Sequence, residues 1–276
     1  MSSARKQFYI FNGSLEKEEK NLEEILNQGD IVYEVIRIIE GFPLFLKEHM
    51  DRLHNSCSLI NIQCPIKQEE VFRHIRELSA SNEIDFGNIK IVLNSNSLEY
   101  AIYFIPHYYP TEEEYEDGVK TILYNGERKN PNAKIVDMSF RKTVTEKIKK
   151  ENAYEAILID KNGNITEGSK SNIFMVKGDV VLTAPVEGVL PGITRNKIIN
   201  VIKDLGISFE EKYVKDDEIN SLQGLFISGT SPKVLPINKV ETISFNPKNK
   251  IIIDIMKFFN KVIEEDIKFI KNNYFK

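Results

Sequence analysis

The stretch Ile165–Phe174, ITEGSKSNIF, places one acidic residue in a tight turn between two runs of strand-forming residues. Glycine permits positive φ, and serine and asparagine hydrogen-bond the local backbone, so this composition predicts a turn of defined conformation. The carboxylate of Glu167 would then be held in one position instead of being merely solvated. Taken alone, the same ten residues also fit the tip of a surface hairpin, and both interpretations stay open at this point.

Two further segments have the character of anion-binding sites. Gly192-Ile193-Thr194 precedes an amphipathic helical pattern, and a helix N-terminus concentrates unpaired N–H groups and the positive end of the helix dipole. Thr194 stands where an N-cap residue is expected. The segment Ser228–Pro232 follows a predicted strand and offers hydroxyl groups and a glycine that lets the backbone approach a ligand. Each pattern also occurs in proteins that bind nothing there.

Arg52 places a cation on a predicted amphipathic helix, where an exposed salt bridge is the common role of an isolated arginine. His49 on the same helix fits a structural hydrogen-bonding residue. The sequence contains no GxSxG, Walker, HExxH or GxGxxG motif, so hydrolase-triad, nucleotide-hydrolysing and dinucleotide-binding classes lose their usual support. The four histidines lack metal-ligand spacing, and the two cysteines form no CxxC pair, so neither a metal site nor a disulfide framework is predicted.

Length, composition and charge limit the classes of protein to which the chain can belong. The 276 residues, 41% of them hydrophobic and 28% charged, are enough for two domains with sizeable cores. A net charge of −4 offers no strong basic field for nucleic acid. No apolar run reaches the roughly 18 residues that would span a membrane, and residues 1–6 lack the apolar core of a signal peptide. We therefore expect a cytoplasmic protein with neither nucleic acid nor membrane as a partner.

Hydrophobic periodicity predicts an α+β organisation in two domains, residues 1–117 and 118–276, with Pro106–Gly118 as the linker. The predicted strands lie at residues 7–11, 31–39, 43–46, 89–93, 101–105, 119–124, 154–160, 173–176 and 225–227. The predicted helices lie at residues 47–60, 67–79, 140–151, 194–206 and 251–272.

Seven segments, in order along residues 31 to 240, resemble the class IV aminotransferases, a family of pyridoxal-phosphate enzymes. They are Tyr33–Arg37 (YEVIR), Gly41–Phe45 (GFPLF), Glu48–Leu53 (EHMDRL), Tyr154–Leu158 (YEAIL), Thr166–Phe174 (TEGSKSNIF), Leu190–Arg195 (LPGITR) and Gly229–Ser231 (GTS). The family contains branched-chain aminotransferases, D-amino-acid aminotransferases and aminodeoxychorismate lyases. The resemblance implies fold type IV, with a small N-terminal α/β domain and a larger C-terminal pseudo-barrel α/β domain.

The resemblance also implies pyridoxal 5′-phosphate as cofactor and assigns roles to named residues. Glu167 would bond the protonated pyridine nitrogen. Arg52, the N–H groups of Ile193 and Thr194, and the Thr230 hydroxyl would hold the phosphate. The family's Schiff-base lysine lies about twenty residues before the YEAIL-like strand, which selects Lys134 as the catalytic residue. Lys142, Lys147, Lys149 and Lys150 fall in the predicted helix, where solvation is expected.

Tyr33, Gly229 and Ser231 would contact the substrate. Three departures bear on its identity: Asn94–Tyr100 lacks the Arg-x-His pair of D-amino-acid enzymes, Ser139 replaces a tyrosine usual in branched-chain enzymes, and Met138 replaces an arginine common in the lyases. The expected function is ping-pong transfer of an amino group from a small or aliphatic amino acid, with branched-chain favoured, to a 2-oxo acid. Family resemblance implies a homodimer. A D-amino-acid aminotransferase, an aminodeoxychorismate lyase and a non-enzymatic scaffold stay open as alternatives.

Overall fold

The computed structural model describes residues 7–17, 30–128 and 130–274, so residues 1–6 considered above lie outside it. The described residues form two structural units. One contains those up to Tyr108, together with Ala133–Val136 and those from Ile263 onward. The other contains Tyr109–Asn132 and Asp137–Val262. The domain boundary after residue 117 stays a prediction.

The first unit contains an antiparallel sheet of six strands in the order β2-β1-β6-β5-β3-β4. The strands are β1 (Phe8–Phe11), β2 (Ser14–Lys17), β3 (Ile31–Ile39), β4 (Phe42–Pro43), β5 (Gly87–Asn94) and β6 (Tyr100–Ile105). Asn12 and Gly13, both at positive φ, form the tight turn between β1 and β2, as the twist of a two-residue hairpin requires.

Two helices, α1 (Leu46–Leu59) and α2 (Gln68–Asn82), cover one face of this sheet. The short hairpin strand predicted at residues 43–46 is present as β4 but lies at Phe42–Pro43, because Phe45 adopts a left-handed conformation (φ 53, ψ 40) that ends the extended chain before α1. The core between sheet and helices is aliphatic, and burial of each large side chain contributes roughly 1.5–3 kcal/mol. Its members include Ile36, Ile38, Met50, Leu53, Val71, Ile75, Leu78, Ile89 and Ile91.

The second unit contains a sheet of ten strands in which six close into a ring, β10-β14-β15-β7-β8-β9, and β9 pairs back to β10. The strands are β7 (Val119–Asn125), β8 (Glu155–Ile159), β9 (Asn164–Gly168), β10 (Asn172–Lys177), β11 (Val180–Thr183), β12 (Ser208–Glu211), β13 (Val214–Lys215), β14 (Gly224–Gly229), β15 (Lys233–Val240) and β16 (Ile243–Ser244). Strand β7 pairs in parallel with β8 and β15, and β11 with β12. The barrel interior is aliphatic and includes Ile157, Ile165, Met175, Leu225 and Leu235.

The remaining helices are α3 (Glu112–Asp117), α4 (Met138–Lys150), α5 (Ile193–Asp204) and α6 (Lys250–Tyr274), with 3-10 turns at Val186–Gly188 and Asp216–Ser221. All belong to the second unit except the part of α6 from Ile263 onward, which belongs to the first. Helix α3 lies within the predicted linker. Thr111 and Glu114 form a reciprocal capping box there, which stabilises the first turn of so short a helix. No helix in the described part of the chain combines the length and the apolarity needed to span a membrane.

Candidate active site

Glu34 is a fully buried carboxylate in the middle of the apolar strand β3. Nε and Nη2 of Arg52 on α1 donate to its two oxygens at 2.7 Å each, and His49 Nδ1 lies 2.7 Å from Oε2. An ionised carboxylate only accepts hydrogen bonds, so the His49 proton must sit on Nδ1. The bidentate pair fixes the plane of the guanidinium. Arg52 is therefore a buried, oriented cation, and the interpretation of an exposed surface arginine is wrong.

Burial raises the pKa of Glu34, but the charge of Arg52 and the hydrogen bonds from Arg52 and His49 outweigh burial and lower this pKa to about 2. Burial also lowers the pKa of His49, more than the neighbouring Glu34 raises it. The group therefore carries one negative and one positive charge at neutral pH. Neither Glu34 nor its pairing with Arg52 was predicted from the sequence, although an acid inside an apolar strand was a usable signal.

Lys134 lies in an extended segment beside the edge of β3. Its N–H donates to Ser56 Oγ at 3.2 Å, and its carbonyl accepts from the Tyr33 N–H at 3.1 Å. Val32 and Ile135 form the bridge between the two segments. Because adjacent side chains alternate between faces, Lys134 shares the face of Tyr33. Its Nζ stands 4.7 Å from the centroid of the Tyr33 ring.

The other candidate lysines differ from Lys134 in their surroundings. Lys142, Lys147, Lys149 and Lys150 are exposed on α4, whereas Lys134 is half-buried. The backbone N–H and carbonyl of Lys134 both form hydrogen bonds within the first unit, so the position of its Cα is fixed.

The face that carries Tyr33 and Lys134 also carries Lys90 on β5. Lys90 pairs directly with Val35, and Tyr33 pairs with Val92, so these four side chains point to the same side. Lys90 Nζ lies 5.3 Å from the centroid of the Tyr33 ring. The Tyr33 ring, itself buried, is thus in contact with two ammonium groups.

Glu167 lies within strand β9, not in the turn that the sequence predicts, and is only 3% exposed, so the interpretation of a surface hairpin tip is wrong. Its Oε2 accepts from the Leu190 N–H at 3.2 Å, and its Oε1 lies 3.1 Å from Arg128 Nε. Arg128 also donates to the Ser169 carbonyl at 3.0 Å. A carboxylate can accept from about four donors, so Glu167 can hold these two and a further N–H. Arg128 was not identified from the sequence.

Helix α5 begins one residue after Gly192, and Gly192, not Thr194, is its N-cap. The Gly192 carbonyl accepts the first helical hydrogen bond, from the Asn196 N–H at 3.0 Å, which makes Thr194 the second residue of the helix. A Cβ on Gly192 would lie 2.1 Å from Asn172 Oδ1, so only glycine fits. The N–H groups of Ile193 and Thr194 lie in the first turn, where no intrahelical acceptor exists.

The hairpin between β14 and β15 turns at residues 230–232. Ser228, just before it, is 1% exposed, and its Oγ has no hydrogen-bond partner among the described residues. Ser228 stands opposite Asn172 in the β10–β14 register, and a Cβ on Gly229 would lie 3.8 Å from the Lys170 carbonyl oxygen. The hairpin therefore lies against the Glu167 turn. An unpaired buried hydroxyl beside a helix N-terminus fits the binding of a phosphate group.

Within each unit the predicted residues lie together. The first unit gathers Tyr33, Arg52 and Lys134 at β3 and its neighbours, and the second gathers Glu167, Ile193, Thr194, Gly229, Thr230 and Ser231 at the β9–β10 turn, the start of α5 and the β14–β15 hairpin.

Known proteins resemble the part of the chain that contains these residues. The family described as Amino-transferase class IV matches residues 31–240. A D-alanine aminotransferase of Bacillus licheniformis is 30% identical over 250 residues, 84% of this chain and 88% of that protein. A putative branched-chain-amino-acid aminotransferase of Methanocaldococcus jannaschii is 30% identical over 245 residues, 83% and 84% of the two chains. The crystal structure of a putative branched-chain amino acid aminotransferase from Thermotoga maritima superposes with a TM-score of 0.82 at 26% identity, covering 93% and 95%.

Replacing Glu34 by glutamine should destabilise the protein by about 3–5 kcal/mol, because Arg52 would keep a buried charge without its counterion. The folded-state pKa of Glu34 lies below its ordinary value of 4.5, so its stabilising contribution is present above that pH and is lost as the pH falls toward 2. Denaturant unfolding at about pH 7 measures the loss of stability in the variant. The same measurement from about pH 5 to 2 measures how the free energy of unfolding of the native chain depends on pH.

The matched control for this substitution is Glu69→Gln on the exposed side of α2, which should change stability by less than about 0.5 kcal/mol. Equal effects of the two substitutions, or an acid-induced loss of stability as steep in Glu34→Gln as in the native chain, would contradict the assignment of a buried ion pair.

Proposed function

The chain belongs to the class IV aminotransferases, and we propose that within this family it transfers an amino group from a small or aliphatic amino acid, branched-chain favoured, to a 2-oxo acid. The observation that carries this proposal is Lys134, a half-buried lysine whose backbone is fixed by Ser56 and Tyr33 and whose ammonium lies on the Tyr33 ring. A nucleophilic lysine must return to the same position after each release of product, and these contacts define that position for Lys134.

We assign the cofactor role to pyridoxal 5′-phosphate, for which the donors fit. Arg52, oriented by Glu34, supplies a fixed cation for the phosphate, and the N–H groups of Ile193 and Thr194 with the Thr230 hydroxyl supply neutral donors. The buried Glu167 carboxylate would accept the pyridine N–H. When bound, this cofactor supplies an electron-accepting ring for the electron pair released at the substrate Cα.

In this assignment Lys134 has two tasks. Its Nζ would attach the cofactor and, once freed by the substrate amine, would serve as the base that accepts the proton of the substrate Cα. A second oxo acid then runs the same steps in reverse, which gives ping-pong kinetics. The negative charge of Glu167 would favour the protonated form of the pyridine nitrogen.

The side chains beside Lys134 favour an aliphatic substrate. Tyr33, Val92 and Ala101 form a buried cluster on that face, with Val35 packed against it. Apolar surroundings of this kind favour methyl and methylene groups over an unpaired polar side chain. This supports the branched-chain preference over larger polar amino acids.

Lys90 supplies a cation on the same face, and we assign it the substrate α-carboxylate. Asn94–Tyr100, at the end of the same strand, lacks the Arg-x-His pair expected of D-amino-acid enzymes. A charge-assisted hydrogen bond from Lys90 would take over that task. We further infer a homodimer from membership of the family.

The principal test is an amino-donor panel containing both enantiomers of alanine, leucine, isoleucine and valine with 2-oxoglutarate as acceptor, read out as oxo-acid production. Leucine, isoleucine or valine should give the highest kcat/KM. Release of pyruvate from aminodeoxychorismate without any acceptor would instead favour the lyase, and a protein that neither binds pyridoxal phosphate nor converts any donor would favour the scaffold.

Lys134→Ala should abolish transamination, lowering kcat by at least about a thousandfold because the attaching and proton-moving amine is gone. Borohydride reduction of the native protein with pyridoxal phosphate, followed by peptide mass spectrometry, should label Lys134. Lys142→Ala is the matched control and should keep activity. Retention of activity in Lys134→Ala with the label on another lysine would overturn the assignment.

Lys90→Met should raise KM for leucine about tenfold with a smaller change in kcat, because a charge-assisted contact to the carboxylate is lost. Lys90→Arg should restore most of the affinity, and Lys67→Met, at an exposed position of the first unit, should change nothing. An unchanged KM for leucine in Lys90→Met, or a rise confined to dicarboxylic substrates, would remove Lys90 from the α-carboxylate.

A further inference from the structure

We propose that Glu155, at the start of β8, is a positioning residue that fixes the Glu167 carboxylate and the first turn of α5. The inference deepens the proposed function and rests on it, because it takes Glu167 as the group that binds the pyridine nitrogen. Glu155 itself would touch neither substrate nor cofactor and would act through the turn between β9 and β10.

The Glu155 carboxylate is 5% exposed and is surrounded by four hydrogen-bond donors. Oε1 accepts from Ser169 Oγ at 2.5 Å and from the Ala156 N–H at 2.9 Å. Oε2 accepts from Ser171 Oγ at 3.0 Å and from the Lys170 N–H at 3.2 Å. Four donors match the acceptor capacity of a carboxylate. Three of them belong to the three residues that connect β9 to β10, so the turn is built around this charge.

The turn leaves no room for a side chain at Gly168, beside Glu155. A Cβ on Gly168 would lie 2.0 Å from Ser171 Oγ and 3.3 Å from Glu155 Cδ. Ser169 is tied to β8 as well, because its N–H donates to the Ala156 carbonyl at 2.9 Å. Since Gly168 directly follows Glu167, the carboxylate of Glu155 sets where the Glu167 side chain begins.

In the part of the chain that the structure describes, the charge of Glu155 is compensated by hydrogen bonds from neutral donors. Among the described ranges no ion pair involves it, whereas Glu167 pairs with Arg128. A buried charge held only by neutral donors depends on every one of them.

Glutamine at position 155 could not reproduce these hydrogen bonds, for a geometric reason. Each oxygen of Glu155 accepts from a backbone N–H that cannot turn away, from Ala156 and Lys170 respectively, so the amide NH2 must face one of these donors in either orientation.

The effect extends from the turn to α5 through Leu190. The Leu190 N–H donates to Glu167 Oε2 at 3.2 Å, and the Leu190 carbonyl accepts from Asn172 Nδ2 at 2.9 Å. Glu167 and Asn172 flank the turn that Glu155 holds. A displaced turn would therefore move both partners of Leu190, two residues before the N-cap Gly192.

A double-mutant cycle tests this role without relying on turnover. The full-length protein, stripped of cofactor, is prepared as native chain, Glu155→Gln, Glu167→Gln and the double variant, and each is titrated with pyridoxal 5′-phosphate by absorbance and fluorescence. Glu155→Gln should raise the Kd about tenfold in the native background and less than about twofold in the Glu167→Gln background, because an effect exerted through Glu167 disappears with it. Ser171→Ala, which removes one donor, should raise the Kd about threefold and covers the case that Glu155→Gln does not fold.

Glu210→Gln, at an exposed position of β12, is the matched control and should leave the Kd unchanged. Equal losses in both backgrounds, or no loss in either, would overturn the positioning role while leaving the aminotransferase assignment intact. A native chain that does not bind pyridoxal 5′-phosphate would overturn the proposed function itself, and this inference with it.

Discussion

The barrel of the second unit closes at a single residue pair, Glu167 on β9 and Asn172 on β10, and the candidate site of that unit depends on this closure. The ring of six strands meets there through a turn in which the Gly168 N–H donates to the Ser171 carbonyl at 2.8 Å. Closing a sheet removes its unpaired edges, so the turn is constrained from both sides. The closed barrel fixes the backbone on both sides of this turn, which explains why the Glu167 carboxylate is buried although it borders the turn.

In each unit the candidate functional residues lie near a buried carboxylate that interrupts an apolar strand. Glu34 in β3 and Glu155 in β8 lie among aliphatic residues, and each organises polar groups that would otherwise lack a partner. Glu34 orients a guanidinium through a bidentate ion pair, whereas Glu155 orders a turn through hydroxyl and N–H donors. Burying an ionised group is costly unless its partners are fixed. The surrounding structure must therefore be specific, and that specificity is what a binding site for a charged cofactor needs.

The sequence predicts the regular elements well where hydrophobic periodicity is strong. The strands at β3, β5, β6 and β10 and the helices α1, α2, α4 and α6 lie within a few residues of the predicted ranges. The predicted elements lack several strands, among them β9, β11 and β15, and the short helix α3, whose first turn is stabilised by the capping box between Thr111 and Glu114. The predicted start of α5 is too late, because Thr194 resembles an N-cap residue whereas Gly192 is the N-cap.

Contacts between distant parts of the chain could not be predicted. Arg52 was selected as a phosphate ligand by resemblance, but its partner Glu34 is 18 residues away, and Arg128 reaches the Ser169 carbonyl across 41 residues. Such pairs depend on the register of strands and on the path of a loop, and neither follows from composition. An acid within an apolar strand is the one local signal that would have identified Glu34 and Glu155 beforehand.

We propose that the Glu167 carboxylate accepts a hydrogen bond from the protonated pyridine nitrogen of pyridoxal 5′-phosphate. The most direct measurement is a crystal structure of the protein with this cofactor bound. We expect a Glu167 oxygen within about 2.6–3.2 Å of the pyridine nitrogen and phosphate oxygens in contact with the N–H groups of Ile193 and Thr194. A cofactor bound with its ring nitrogen directed at any other group, and Glu167 out of contact with it, would contradict the claim.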